Sequence, residues 1–283
     1  MAYETLITVD ALRDMLAAGE NVLVFDCEFE LGNPDKGPEI YAKGHIPGAR
    51  YAHLDEDLAS PPDGSNGRHP LPARVAIVAW LRAQGLRKGQ QVVAYDSNGG
   101  AWAARLWWLL RWLGHAPVAV LDGGKPAWVE AGLPLDHGLS PGATSGDFEP
   151  GEPLVPEPVS AAKVLGNIAQ PTAQVLDARD PARFAGTPNP LDPVAGHIPG
   201  ARNRFFRDNL DAAGHFRPAA ELAADFSALL GNAPAILQCG SGVTACHNAL
   251  AMAVAGLPVG QLYPGSWSEW IADPGRPVAT GAE

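Results

Sequence analysis

The stretch Gly44-His45-Ile46-Pro47-Gly48-Ala49-Arg50 occurs twice: Gly196-His197-Ile198-Pro199-Gly200-Ala201-Arg202 repeats it without a change, 152 residues later. Self-similarity of this kind decides the architecture before any residue-level reading does. Weaker matches hold nearly the same spacing on both sides. VLVFD, ending at Asp26, is answered by QVLD, ending at Asp177. VVAYDSNGGAWAARLWWLL, starting at Val92, is answered by AILQCGSGVTACHNALAMA, starting at Ala235. GGKPAW, ending at Trp128, is answered by GSWSEW, ending at Trp270. Matches held in one order imply two homologous domains, at residues 1–135 and 159–283. Between them, 136–158 (DHGLSPGATSGDFEPGEPLVPEP) is rich in Gly, Pro, Ser and acids and lacks apolar periodicity. Proline fixes φ and blocks ladder hydrogen bonds, so this linker is expected to run extended over the surface.

Within each half the pattern alternates. Short β-branched runs (NVLVFD, QVVAYD, PVAVLDG, then AQVLDA, PAILQC, VGQLYPG) read as buried strands. Helical stretches lie between them: VDALRDMLAAG with Asp10 as its expected cap, ARVAIVAWLRAQG, and AARLWWLLRWLG running into a glycine. Such alternation predicts an α/β fold, a mostly parallel sheet flanked by helices in each domain. Ligands of such sheets sit beyond the carboxyl ends of strands, which directs attention to the residue after each strand. Trp102, Trp107, Trp108 and Trp112 fall on one stretch read as an amphipathic helix, where they serve the core or a domain interface.

The 283 residues fit two domains, and 46% hydrophobic with 18% charged residues is ordinary for a packed chain. A net charge of −11 disfavours non-specific binding to nucleic acid or to an anionic membrane, while leaving room for a local basic pocket. The cysteines, Cys27, Cys239 and Cys246, form no Cys-x-x-Cys pair and cannot all be paired, which suits a reducing compartment. The start, MAYETLITVDALRDML, is neither a signal nor a transit peptide, and the apolar run Leu106–Leu113 is too short to span a bilayer. A soluble cytoplasmic protein is expected, monomeric by default because two domains bury a core unaided.

The loop after Ala235–Gln238 carries the chemistry. Cys239 stands at a strand end, Gly240 and Gly242 let the backbone curl, and a helical run follows from Cys246. Successive amides that turn inward, together with a helix N-terminus, favour an anion at that spot and hence the thiolate, the nucleophilic form of cysteine. The competing reading is a small buried hydrophobe. The matching position in the first half is Asp96, no thiol nucleophile, so the first domain is expected to be catalytically inert. A phosphatase loop needs an arginine six residues after its cysteine; Ala245 stands there. Cys246 is read as buried on the inner helix face, with a resolving thiol as the alternative. Asp26, Asp177, His45 and His197 recur in both halves and are assigned to the fold.

The paired GHIPGA elements, the inert first half and the loop CGSGVTA together resemble the two-domain rhodanese family, over roughly residues 5–278. Within it the loop is similar to that of the 3-mercaptopyruvate sulfurtransferases. The resemblance implies that the Cys239 thiolate takes sulfur from a donor, leaving pyruvate and a persulfide, which passes to a thiol such as thioredoxin or to cyanide. It implies no metal and no organic cofactor. Amides of Gly240, Ser241, Gly242, Val243, Thr244 and Ala245 would hold the persulfide. Ser241, His69 in GRHPLP and Asp57 in HLDEDL match the family's proton relay, which implies a site between the domains. The bland readings are a loop histidine and a surface acid. Arg183, in PARFAG, matches the arginine that binds the donor carboxylate. A second arginine usual in the mercaptopyruvate enzymes is missing; Leu191 stands in its place. Arg179 offers a substitute, but pairing with a nearby acid is the favoured reading. Thiosulfate as donor, and a non-catalytic binding module on the same fold, are the alternatives.

Overall fold

The structure is a computed structural model that describes residues 2–282. The chain forms two compact units. Unit 1 comprises Met1–Ser60, Pro72–Leu154 and Ala212–Phe216; unit 2 comprises Pro61–Leu71, Val155–Asp211 and Arg217–Glu283.

Unit 1 runs β1 (Leu6–Ile7), α1 (Val9–Ala17), β2 (Val22–Asp26), α2 (Lys36–Lys43), β3 (Arg50–Tyr51), α3 (Arg74–Ala83), β4 (Gln91–Tyr95), α4 (Ala103–Trp112), β5 (Val118–Leu121) and α5 (Gly124–Glu130). Its sheet has the order β1-β5-β4-β2-β3, and every ladder is parallel. All five residues of β4 are buried, as a strand covered on both faces must be. Val24, Val93, Tyr95, Leu121 and Trp128 share one core cluster.

Unit 2 runs α6 (Ala161–Ala169), β6 (Gln174–Asp177), α7 (Pro181–Ala185), β7 (Arg202–Asn203), a 3-10 turn at Phe206–Asn209, α8 (Ala219–Leu230), β8 (Ala235–Gln238), α9 (Thr244–Val254), β9 (Gln261–Leu262) and α10 (Ser266–Trp270). Its sheet, β7-β6-β8-β9, is also parallel throughout. Val175, Ile236, Tyr263, Trp267 and Trp270 anchor its core. Among the described residues no helix is long and apolar enough to cross a membrane.

The repeated heptapeptide is the same turn in both units. His45 Nδ1 donates to the Tyr41 carbonyl at 3.0 Å and stacks on the Tyr41 ring at 4.0 Å. His197 Nδ1 donates to the Phe184 carbonyl at 2.8 Å and stacks on Phe184 at 3.9 Å. Gly48 and Gly200 turn the chain with φ of 74° and 77°, a region open to glycine at little cost. Each histidine also pairs its backbone with a residue far along the chain of its own unit, His45 with Asp136 and His197 with Ala279. The histidines thus serve the fold, as their recurrence implies.

Three local expectations change. The cap of α1 is Thr8, whose hydroxyl accepts the Ala11 N–H at 3.2 Å; Asp10 lies in the first turn and pairs with Arg13 instead. Helix α4 is buried on all sides except at Arg111, so it is a central helix and not an amphipathic one, and Trp102 precedes it. The Pro/Gly-rich stretch has little regular structure, yet its first part is strapped to unit 1. Phe148 is buried, its N–H reaches the Leu86 carbonyl, and the Gly146 N–H reaches Arg82.

Candidate active site

Cys239 follows β8, whose last residue, Gln238, is in register with Asp177 at the end of β6. Its Sγ accepts the Gly242 N–H at 3.1 Å and the Ser241 N–H at 3.5 Å. The loop that delivers these amides is pinned from behind. The Cys239 carbonyl takes the Trp267 N–H and the Gly240 carbonyl takes the Ser268 N–H, each at 3.0 Å. The Cys239 N–H donates to Ser266 Oγ at 3.0 Å, and that hydroxyl donates to the Tyr263 carbonyl at 2.9 Å. Gly242 has φ of 77°, and a Cβ there would collide with the Pro264 carbonyl, so no other residue fits. Val243 and Ala245 are buried, and α9 begins at Thr244, which places the helix N-terminus at the end of the loop.

The Cys239 thiol is enclosed, only 2% exposed. The segment Pro61–Leu71 packs as part of unit 2. Gly67 lies against the backbone of Gly265, and the Arg68 N–H donates to Ser268 Oγ at 3.0 Å. The same segment brings His69 to the site. His69 Nδ1 and Ser241 Oγ are 2.7 Å apart, both residues buried.

Arginines surround the loop. Arg179 is buried and committed: Nε and Nη2 hold both oxygens of Asp177 at 2.6–3.0 Å, Nη2 also donates to the Gly196 carbonyl at 2.9 Å, and the guanidinium lies over the Trp267 ring. Burial works against its charge, but Asp177, Asp192 and Cys239 more than offset this, and its pKa is raised. Arg183, on α7 behind the Asp180 cap, places Nη2 2.6 Å and Nε 3.1 Å from Asp192 Oδ2. Asp192 is buried, which raises a carboxyl, yet Arg183, Arg68 and Arg179 hold it below the ordinary range. Leu191, at the expected arginine position, offers only its backbone there.

Asp57 belongs to unit 1. Its Oδ2 accepts the His53 N–H at 2.8 Å while its own N–H returns to the His53 carbonyl at 2.9 Å, closing a turn. Burial raises its pKa. Cys246 is fully buried, and its Sγ donates to the Gly242 carbonyl at 3.4 Å, bracing the loop. In unit 1 the loop after β4 closes on Asp96, whose carboxylate accepts the N–H groups of Asn98, Gly100, Trp102 and Ala103 at 2.8–2.9 Å.

Sequence reading missed Arg68, Asp192 and Ser266. Ser266 left a signal: it answers Gly124 across the repeat. Gly124 has φ of 59°, and Ser266 keeps φ of 53°, the one positive φ outside glycine among the described residues. A side chain retained in that region is strained, and strain of this kind gathers at functional sites.

A strand-end cysteine wrapped in main-chain amides, on a fold whose second copy carries an aspartate there, defines a class of group-transfer enzyme that works through sulfur. The rhodanese-like domain profile matches residues 8–131 and 160–273, and the chain belongs to that family. It is 48% identical over 286 residues to a Pseudomonas aeruginosa protein named "Probable 3-mercaptopyruvate sulfurtransferase", covering 99% of this chain and 100% of that one. It is 30% identical to the thiosulfate sulfurtransferase of Bos taurus, over 95% of this chain and 92% of that one. The solved 3-mercaptopyruvate sulfurtransferase from Leishmania major superposes with a TM-score of 0.80 at 32% identity, covering 94% of this chain and 74% of that one. The protein is a sulfurtransferase built of two rhodanese-like domains.

Proposed function

We propose that this enzyme uses 3-mercaptopyruvate as sulfur donor and carries the sulfur as a persulfide on Cys239, in the cytoplasm and as a monomer. The Cys239 thiolate attacks the donor sulfur. A new S–S bond forms, the C–S bond breaks, and its electron pair goes to C3 as the enolate of pyruvate. The enolate takes one proton at C3 and leaves as pyruvate. A thiol acceptor, such as thioredoxin, or cyanide then attacks the outer sulfur and releases the thiolate.

The observation that carries this reading is the pair of amides, Gly242 and Ser241, aimed at the Cys239 sulfur. Amides fixed before the reaction hold negative charge without reorganising during it. Gly240, Val243, Thr244 and Ala245 complete the turn that holds the outer sulfur. Ser241 and His69, at 2.7 Å, supply the proton to the enolate, with Asp57 as the third member assigned to the relay. Arg183 takes part in holding the donor carboxylate.

Intact-mass spectrometry after treatment with donor tests the central step. One added sulfur atom is expected in the wild type and in Cys246→Ser, and none in Cys239→Ser. No added mass in the wild type would favour a binding module without turnover. His69→Ala is expected to lower kcat with 3-mercaptopyruvate by about 10²-fold, the typical range of acid–base assistance. A higher kcat/KM with thiosulfate than with 3-mercaptopyruvate would overturn the donor assignment.

A further inference from the structure

We infer that Arg68 is the principal ligand of the donor carboxylate, and that it supplies the arginine missing at Leu191. The inference rests on the donor reading above and deepens it.

The guanidinium of Arg68 is oriented by one corner only. Its Nη1 donates to the Leu191 carbonyl at 2.8 Å and to Asp192 Oδ1 at 3.2 Å. Its Nε is buried without a hydrogen-bond partner. Its Nη2 faces Gly240, 2.8 Å from where a Cβ of that residue would stand. Nε and Nη2 form the edge of an arginine that binds a carboxylate through two parallel hydrogen bonds. A buried donor left unpaired is expensive, so the unpaired Nε, with Nη2 beside it, marks a place for an acceptor.

Arg183 is differently committed. Its own Nε–Nη2 edge is spent on Asp192, leaving Nη1, which lies 3.9 Å from the same Gly240 Cβ position. Arg179 spends its Nε–Nη2 edge on Asp177, with Nη2 also on the Gly196 carbonyl, and its Nη1 lies 3.8 Å from Asp192 Oδ2. Of the arginines around the cysteine loop, Arg68 alone presents an open fork, with Arg183 beside it as a second positive charge. Asp192 explains how the two cations stay together: it is buried and ion-paired to both. The glycine at 240 fits the same picture. Any side chain there would fill the space between the two guanidinium groups and the loop.

The donor class follows: a small α-keto thiol with a carboxylate at the end away from its sulfur. The test compares 3-mercaptopyruvate with mercaptoacetone, which has the same reacting atoms and a methyl group in place of the carboxylate. In Arg68→Met, KM for 3-mercaptopyruvate is expected to rise about 10- to 100-fold, the loss of a charge-assisted pair, while mercaptoacetone kinetics stay within a few-fold. Arg68→Lys keeps the charge and the hold on Leu191, so a smaller rise confined to 3-mercaptopyruvate is expected. Unchanged KM in Arg68→Met, or equal loss of both donors in both variants, overturns the inference. A wild type that turns over neither donor overturns the donor reading itself, a result distinct from either.

Discussion

Two loops of this molecule share one backbone plan and end in different chemistry. In unit 1 the carboxylate of Asp96 takes four amides at 2.8–2.9 Å. In unit 2 the sulfur of Cys239 takes two, at 3.1 and 3.5 Å. Both loops are tethered alike: Lys125 N–H bonds the Asp96 carbonyl as Trp267 N–H bonds that of Cys239. Unit 1 therefore carries its anion as part of the chain. The carboxylate oxygens lie two bonds beyond Cβ, where the outer sulfur of a cysteine persulfide would also lie. Asp96 reads as a permanent copy of the charged persulfide proposed for unit 2. The charges beneath the loops differ as well. Arg179, which pairs with Asp177, is answered in unit 1 by Glu28, and Lys125 stands 3.6 Å from that acid.

The largest expected effect comes from making the loops alike. Cys239→Asp gives unit 2 the carboxylate of unit 1 and removes the nucleophile. Sulfur transfer is expected to fall at least about 10⁴-fold, to background. The melting temperature is expected to hold or rise, because the new carboxylate satisfies the loop amides. Asp96→Ala goes the other way. It strands four amides and is expected to destabilise unit 1 by about 3 kcal/mol or more, measured by denaturant unfolding. If Asp96→Ala were neutral, the amides would not be an anion site and the kinship of the loops would fail.

The second comparison is of buried acids. Burial pushes the Asp26 carboxyl up to about 6, against the opposing charge of Lys125. The folded state therefore binds more protons than the unfolded one between about pH 4 and 6, and the stability drawn from Asp26 declines as pH rises through that window. Asp192 has the opposite sign: held below the ordinary range, it contributes stability that is lost only as pH falls. Asp26→Asn keeps the acceptor for the Glu28 N–H, which Asp26 Oδ1 receives at 2.9 Å. It is expected to match the wild type near pH 4 and to exceed it by up to about 3 kcal/mol at pH 7. A stability difference independent of pH would show that Asp26 is not the titrating group.

How much of this was legible in the sequence depends on distance along the chain. The duplication, the alternation of strands and helices, and the cysteine loop are local patterns that survive without the fold. His45 and His197 could be assigned to the fold because both copies carry them, including the one with no cysteine at the loop position. Ser266 was legible only in part. Its partner in the repeat is a glycine, but its hydroxyl matters through the Cys239 N–H, 27 residues away. Arg68 was not legible, since its carbonyl partner is 123 residues distant and nothing local marks it. Asp10 looked like a cap because acids are common in first turns; Thr8 won because its backbone is extended and its hydroxyl reaches Ala11.

Ser266 sharpens the comparison at smaller scale. Unit 1 has Gly124 at the corresponding place, where a side chain would collide with the Asp96 carbonyl. Unit 2 accepts a strained serine and gains a hydroxyl against the nucleophile's backbone. Ser266→Gly removes strain and hydroxyl together; Ser266→Ala removes the hydroxyl alone. Both are expected to lower kcat by about 10-fold with KM little changed, the glycine variant melting higher than the alanine one. Unchanged kcat in both would reduce Ser266 to a packing residue.

The smallest effect is expected at Asp57. Its carboxylate already holds the turn at His53, so replacement by asparagine preserves one oxygen for that bond while removing the charge. If Asp57 supports His69, Asp57→Asn is expected to lower kcat with 3-mercaptopyruvate by several-fold, and to add nothing in a His69→Ala background, because residues acting as a unit are not additive. Asp55→Asn, two residues earlier in the same turn, is the control. A larger loss at Asp55 than at Asp57, coupled to His69, would move the acid of the relay to that position. Additive losses would separate Asp57 from His69 altogether and leave it as the closing residue of its turn.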